Sequence, residues 1–477
     1  MTTAVVVGSG PNGLAGAVTL ALAGVQVTVL EAADAPGGGT RSTEATVPGV
    51  LHDECSGFHP LAIDTAFSRS VDLTAAGLNW GWPDVEYSHP LDGGDGAAAL
   101  RDVDRTASAL GADGATYRRI FGPLDDRFDL IAQEFLQPVL HVPKYPLALG
   151  RFGVGAGLPA AAIAKLYRAP QAKALWAGVA AHAFRPLGSL ASSAIGLALG
   201  TAAHRYGWPV AIGGSQAISA AMIRVLEQHG GTVKTGVTVR SLAQVRRETG
   251  ADIVLLDTSP TAAVRIIGDD ALPPHVRRAF ERFRHGPGAF QVAFAVEGGV
   301  PWQHEPSRRA GTVHLGGTFE QIAAAEKDVA RGRMPKRPFV LLGQQYLADP
   351  ARSSGDVHPI DAYAHVPAGY DGDATELIIA QIERFAPGFR DRVVGMTTRS
   401  TGQIAADNAN FIGGDIVTGA NDPLQLVFRP RPTLNPYATG VDGVYLCSAA
   451  TPPGAGAHGM CGYGAAQAAL AAIGAAR

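Results

Sequence analysis

The chain has 477 residues, of which 46% are apolar and 17% charged, with a formal net charge of −3. That length predicts two or three domains rather than one, and the charge balance gives no electrostatic case for nucleic-acid binding. Three cysteines (Cys55, Cys447 and Cys461) stand far apart without a CxxC pair, which argues against a disulfide framework, a zinc site or a redox dithiol.

The opening residues carry the first strong pattern. Val5 to Val7 are β-branched and read as a buried parallel strand. Gly8, Gly10 and Gly13 follow at the spacing of a dinucleotide turn, with Pro11 and Asn12 between them. Gly8 permits the tight turn, Gly10 lets a pyrophosphate approach the backbone, and Gly13 lets the next helix pack close to the sheet. The helix starting near Asn12 places free N–H groups and its positive end against phosphate. Gly24 ends it, Val25 to Leu30 form a second strand, and Glu31 closes that strand. A carboxylate there accepts from ribose hydroxyls and disfavours a 2′-phosphate.

The N-terminus lacks a basic leader region, and no stretch approaches 18 uninterrupted apolar residues. A cytoplasmic protein without a spanning helix is expected, in a reducing compartment. Gly37-Gly38-Gly39 lets a loop cross close to a bound nucleotide, and His52 and Asp53 are weighed as approaching it or as a surface turn. Residues 61–200 mix helical patterns with Pro and Gly breaks. Arg151 to Leu158 is Gly-rich, but no strand precedes it and the spacing is wrong for a second nucleotide site. Residues 170–200 are Ala-rich, helical and unusually apolar.

An amphipathic helix follows Gly213-Gly214-Ser215, with Ile218, Met222, Val225 and Leu226 on its buried face and Gly230-Gly231 as its cap. Thr232 to Val239 alternates like a strand, and Ile253 to Leu256 is a buried strand. Further strands are predicted at Phe290–Val296 and Phe339–Leu342, and a helix at Glu376–Phe385. Lys327 to Arg337 is locally basic; it reads as a solvated loop or as peripheral contact with an anionic membrane. The strand Val444–Cys447 leads into a second glycine-rich turn, Gly454-Ala-Gly456-Ala-His-Gly459-Met460, and an Ala-rich helix closes the chain.

These elements predict an α/β protein: a discontinuous Rossmann-like domain with an interleaved α+β domain. The first is built from 1–70, 205–262 and 410–477, the second from 71–204 and 263–409. Glycine turns at both ends point to one dinucleotide, FAD, held by both termini.

With these motifs the chain resembles the FAD-dependent oxidoreductases of the phytoene-desaturase-like group, within the amine-oxidase flavoprotein superfamily. The matching stretches are Val5–Gly38, Trp208–Val239, Arg284–Phe290, Ala310–Gly317, Arg384–Arg390, Gly413–Asp415 and Tyr445–Ala466. The resemblance implies that Gly8, Gly10 and Gly13 line the pyrophosphate, and that Glu31 binds the adenosine ribose. Gly38 and Gly39 would pass beside the ribityl chain or flavin, and Val239 would contact adenine through its backbone. The turn Gly454–Gly459 with Met460 would run under the isoalloxazine. Two departures stand out. The chain has Gly37-Gly38-Gly39 where many relatives have Gly-Gly-Arg, leaving Arg41 as the nearest cation. It has Ser448-Ala-Ala-Thr451 where many carry an acid. Noncovalent FAD retention is the expectation.

The implied activity is desaturation or saturation of a C–C bond in an apolar, carotenoid-, isoprenoid- or lipid-like small molecule. The alternatives are amine-oxidase-like C–N oxidation, a flavin-dependent isomerase and a non-catalytic prenyl-binding protein. Candidate chemistry residues are His458 as acid/base or as a turn histidine, and Arg429 as an anion contact or as a surface ion-pair partner. Cys461 is either a dipole-activated thiol or a packing residue, and His314 reads as a core histidine. No metal-ligand spacing is present. The oligomeric state is not encoded in any of these features.

Overall fold

The computed structural model describes residues 2–476. Two sheets organise the chain. The first is a five-stranded parallel sheet in the spatial order Val444–Leu446, Ile253–Leu256, Thr3–Val7, Gln26–Leu30, Thr232–Lys234. Its central strands are short runs of Val, Ile and Leu because both faces are covered, so no alternation with polar residues is needed. From Thr3–Val7 the chain moves one way to Gln26–Leu30, whereas Ile253–Leu256 lies on the other side. The ends of Thr3–Val7 and Ile253–Leu256 therefore flank a topological switch point, where open α/β sheets bind ligands.

The helix Pro11–Leu22 begins with Gly10 as its N-cap and Pro11 at its first position, where a missing N–H costs nothing. It is buried along nearly its whole length. The closing helix Met460–Ala476 packs across it at a backbone crossing. A Cβ placed on Gly462 would stand 1.7 Å from the Asn12 carbonyl oxygen, so only glycine fits there. The helices Pro11–Leu22 and Met460–Ala476 are thus packed against each other beside the sheet.

The second sheet has seven strands, in the order Val393–Arg399, Gly288–Glu297, Val357–Val366, Val340–Gly343, Ala310–Leu315, Val85–Pro90, Gly96–Ala99. All neighbours are antiparallel except Ala310–Leu315 and Val85–Pro90. Its apolar face packs with the helix Thr375–Phe385 through Ile378, Ile379, Ile382 and Phe385. A group of helices, among them Phe128–Phe135, Pro146–Ala156, Pro170–Ala181 and Ala194–Arg205, forms the rest of the interleaved part.

Several boundaries differ from the sequence reading. The alternating run Thr232–Val239 is a strand only over Thr232–Lys234, because Gly236 turns the chain at φ +69°. Residues 237–240 then leave the ladder, with the Val237 N–H donating to the Glu31 carbonyl at 2.8 Å. The helices Pro260–Ile267 and Pro274–Glu281 pack on the parallel sheet through Val264, Ile267, Val276 and Phe280. Sheet-covering chain therefore continues past position 262. The Gly-rich stretch from Arg151 is the second half of a helix.

Among the described residues, no helix is long and apolar enough to cross a membrane.

Candidate functional site

The carboxyl end of the Thr3–Val7 strand opens directly into the glycine turn. Gly8 has φ +100°, a conformation that excludes a side chain. Gly10 and Gly13 are small for a reason absent from the motif reading: they pack on Asp257, which ends the adjacent strand. A Cβ on Gly10 would stand 2.5 Å from the Asp257 carboxylate, and one on Gly13 would stand 2.4 Å from the Gly8 carbonyl. Asp257 accepts from the Gly13 N–H at 3.1 Å. Burial pushes its carboxyl up to about 7, and the neighbouring Glu31 adds to that rise against the pull of the Gly13 and Gly10 backbone N–H groups.

Glu31 faces the same groove from the end of its strand. Its carboxylate accepts from the Ser9 N–H (2.8 Å) and hydroxyl (2.6 Å) and from the Ala33 N–H (2.9 Å). These bonds fix both oxygens at the groove wall. The loop Gly37–Gly39 crosses the turn closely: the Gly37 N–H donates to the Ser9 carbonyl at 3.1 Å, and a Cβ on Gly38 would stand 2.9 Å from the Gly10 Cα. Gly38, Gly39 and Val239 line the groove. Arg41 lines it too, but its guanidinium is engaged elsewhere, donating to Glu54 at 2.9 Å and to the Asp407 carbonyl at 3.0 Å.

The second glycine turn reaches the same space. Gly456 to His458 share one cavity with Gly8 to Asn12. Gly454 (φ +111°), Gly456 (φ +139°) and Gly459 (φ +72°) all adopt conformations that disfavour side chains. Gly459 also packs so closely on Phe67 and Ala15 that a Cβ would fall within 3 Å of both. His458 is buried, and its Nδ1 accepts from the Met460 N–H at 3.1 Å, which ties it to the first turn of the closing helix. Burial pulls its imidazole down to about 4, and the ring is neutral at physiological pH. Cys461 is not an activated thiol: burial raises it to about 12, and its Sγ donates to the Thr451 and Gly454 carbonyls.

Arg429 is the unusual member of this wall. Only 2% of it is exposed, yet it meets neutral acceptors alone: the carbonyls of Gln425 and Ala449 and the Asn421 side chain, each at 3.1 Å. Among the described residues no carboxylate lies within ion-pairing distance of it. A buried cation held this way favours an anion in the adjoining space. A Cβ on Gly454 would strike its guanidinium at 2.7 Å, so this glycine makes room for the arginine.

The groove and an apolar chamber form one cavity of about 1260 Å³. That exceeds the ~300–1,000 Å³ typical of a small-molecule pocket and leaves room for a dinucleotide together with a second molecule. Phe135, Phe152, Phe184, Ile195, Trp208 and Leu341 line the chamber. His182 also lines it, hydrogen-bonded ring to ring with the buried His314 at 2.8 Å. Burial lowers His182 to about 3 and drives His314 down as well, so both are neutral. The carboxylates on the cavity wall are Glu31, Glu134, Asp257 and Asp407. Only Glu134 belongs to the chamber side, and it is engaged with His141 (2.5 Å) and the Tyr145 N–H (2.7 Å).

Among the described residues, four buried polar atoms of cavity-lining residues have no partner within the protein: Asn12 Oδ1, Thr258 Oγ1, Thr312 Oγ1 and Thr418 Oγ1. Polar atoms orphaned beside a glycine cradle fit a polar ligand that completes them. His52 and Asp53 are not part of this wall. His52 bonds Asp361 of the second sheet at 2.7 Å, and Asp53 forms a buried ion pair at 2.5 Å with Arg352 of the turn Pro350–Arg352, so both are engaged away from the cavity. Among the described residues, no cluster of His, Cys, Asp or Glu is arranged to hold a metal ion. Sequence reasoning missed Asp257 and His182. Only the end of a predicted strand marked the first, and only its place with Trp176 and Phe184 in the apolar stretch 170–200 marked the second.

Residues 6–68 match the family model of an NAD(P)-binding Rossmann-like domain. The chain is 25% identical over 295 residues to pyridine nucleotide-disulfide oxidoreductase domain-containing protein 2 of Rattus norvegicus; the match covers 54% of this chain and only 50% of that relative. Among solved structures it is similar to an oxidoreductase from Methanosarcina mazei (TM-score 0.58, 15% identity, 99% of this chain and 100% of the other). It is also similar to cyclohexylamine oxidase from Brevibacterium oxydans (TM-score 0.58, 17% identity, 100% and 99%). At these identities the likeness is one of fold, and it extends over the whole chain: a Rossmann-like α/β domain with an interleaved sheet domain.

Proposed function

We propose that the protein is an FAD-dependent oxidoreductase of the phytoene-desaturase-like group that desaturates or saturates a C–C bond of an apolar, isoprenoid- or lipid-like substrate. The observation carrying this reading is the single cavity that joins the glycine-lined groove to an aromatic and aliphatic chamber. When bound, the flavin supplies a hydride acceptor or donor at N5. The protein's own residues do the rest. Gly8, Gly10, Pro11, Asn12 and Gly13 present backbone and a helix N-terminus to the pyrophosphate. Glu31 holds the ribose. Gly38, Gly39 and Val239 line the path of the cofactor. Gly454, Gly459 and Met460 shape the turn beneath the ring. Arg429 and the start of the closing helix favour negative charge on the ring, and the chamber wall excludes water.

Amine oxidation is the second reading, favoured by the likeness to cyclohexylamine oxidase. Among the described residues the chamber side carries one acid, Glu134, already engaged with His141 and Tyr145, so this reading rests on the aromatic wall of Phe135, Phe152, Phe184 and Trp208 to hold the amine. The test is anaerobic mixing of the FAD-loaded protein with two substrate panels, read as flavin absorbance. Bleaching by polyenes or unsaturated lipids, or reoxidation of dithionite-reduced protein by them, supports the proposal. Bleaching by amines alone, with hydrogen peroxide released in air, transfers the protein to the second reading.

A further inference from the structure

The helix Pro146–Ala156 is apolar on two opposite faces. At 100° per residue, Leu149, Phe152, Gly153 and Ala156 fall on one side, and all four line the cavity. Leu147, Arg151 and Val154 fall on the other, in line with Leu158 just beyond the helix, and face solvent. Leu147 is 84% exposed and Val154 75%. Val142, four residues before the helix, is 93% exposed. The loop that presents it is fixed rather than loose, since the buried Glu134 bonds both His141 and the Tyr145 N–H. Leu190 extends the surface: it is 66% exposed, and the next residue, Ala191, bonds the Gly157 carbonyl at 3.1 Å. Solvent-facing aliphatic side chains gathered this way mark an interaction site.

Charge identifies what the surface meets. Between Glu134 and Glu227 the sequence contains no Asp or Glu, against eight Lys or Arg, in a chain that is acidic overall. Lys144 and Arg151 stand among the exposed aliphatics. Aliphatic side chains interleaved with cations and free of acids complement an anionic lipid surface, where the alkyl groups enter the interface and the cations stay at headgroup level. The basic stretch Lys327–Arg337 lacks this combination. It contributes none of the large exposed apolar side chains, and its Arg333 is paired with Asp328.

We infer that the surface formed by Val142, Leu147, Arg151, Val154, Leu158 and Leu190 docks on an anionic membrane, so that the inner face of the same helix borders the chamber at the bilayer surface. The consequence for substrate entry rests on the apolar-substrate reading above; the docking itself requires no flavin. The test is co-sedimentation of the full chain with phosphatidylcholine vesicles, plain or containing about one third phosphatidylglycerol. The expected result is binding to the anionic vesicles, weakened by salt. Two variants should each reduce it by about tenfold or more while leaving the melting temperature and flavin absorbance unchanged: Val142→Ser/Leu147→Ser/Val154→Ser, and Lys144→Glu/Arg151→Glu. Failure of the unaltered chain to bind anionic vesicles, or equal binding by the variants, overturns the inference. So does a dimer that the serine variant dissociates, which would assign the face to a second copy of the chain. A colourless protein that still binds vesicles would defeat the flavin reading and leave this surface standing.

Discussion

Single residues set the electrostatics of the groove. Asp257 lies under the turn that would carry a pyrophosphate, and burial raises its carboxyl to about 7. A carboxyl with a raised folded value holds its proton longer in the native state than in the unfolded one. Its contribution to stability therefore falls as pH rises from the ordinary carboxylate range, about 4, through about 7. The penalty at neutral pH is up to about 4 kcal/mol, scaled from the shift. Asp257→Asn keeps an acceptor for the Gly13 N–H and removes the charge. The expected outcome is a higher melting temperature at pH 8, an unchanged one near pH 4, and a flatter profile between, read by thermal denaturation across pH. A melting curve that keeps its slope in the variant would show that another group titrates there.

At the level of elements, the crossing of the first and last helices is the critical joint. Gly462 sits against the Asn12 carbonyl with no room for a methyl group, so Gly462→Ala must force the helices apart. The expected cost is about 2–4 kcal/mol, with loss of flavin retention. Gly150→Ala is the control: nothing lies within 4 Å of a Cβ there, and the same change in an exposed helix should stabilise by about 0.5–1 kcal/mol. Denaturant melts and bound-flavin absorbance measure both. The glycine turn, the helix at Pro11 and Glu31 were legible in the sequence because their geometry is local and their spacing fixed. Asp257 was not, because its meaning depends on the strand order that sets Ile253–Leu256 beside Thr3–Val7. His182 and His314 are 132 positions apart and meet only through packing. The second apolar face of Pro146–Ala156 was hidden for another reason: glycines at 150, 153 and 155 blur the helical period that would have revealed it.

For the whole molecule, the cavity between the two sheets makes stability and ligand binding one problem. A ligand that binds only the folded chain stabilises it by about 2.7 kcal/mol at a hundredfold excess over its Kd. FAD should raise the apparent melting temperature by several degrees. NADP should not, because the Glu31 carboxylate repels a 2′-phosphate. Differential scanning fluorimetry with each nucleotide checks this, and equal shifts from both would refute the role given to Glu31. After denaturation the flavin should separate from the chain on filtration, as noncovalent retention requires. The packing of the helices Pro11–Leu22 and Met460–Ala476 also imposes an order of events in the cell. The glycine turn is synthesised long before residues 444–476, and until these have been made its helix stays uncovered and one edge of the sheet unpaired. At ~5–20 residues per second that delay is roughly 20–90 s, during which the nascent chain exposes apolar surface and has no complete nucleotide cradle.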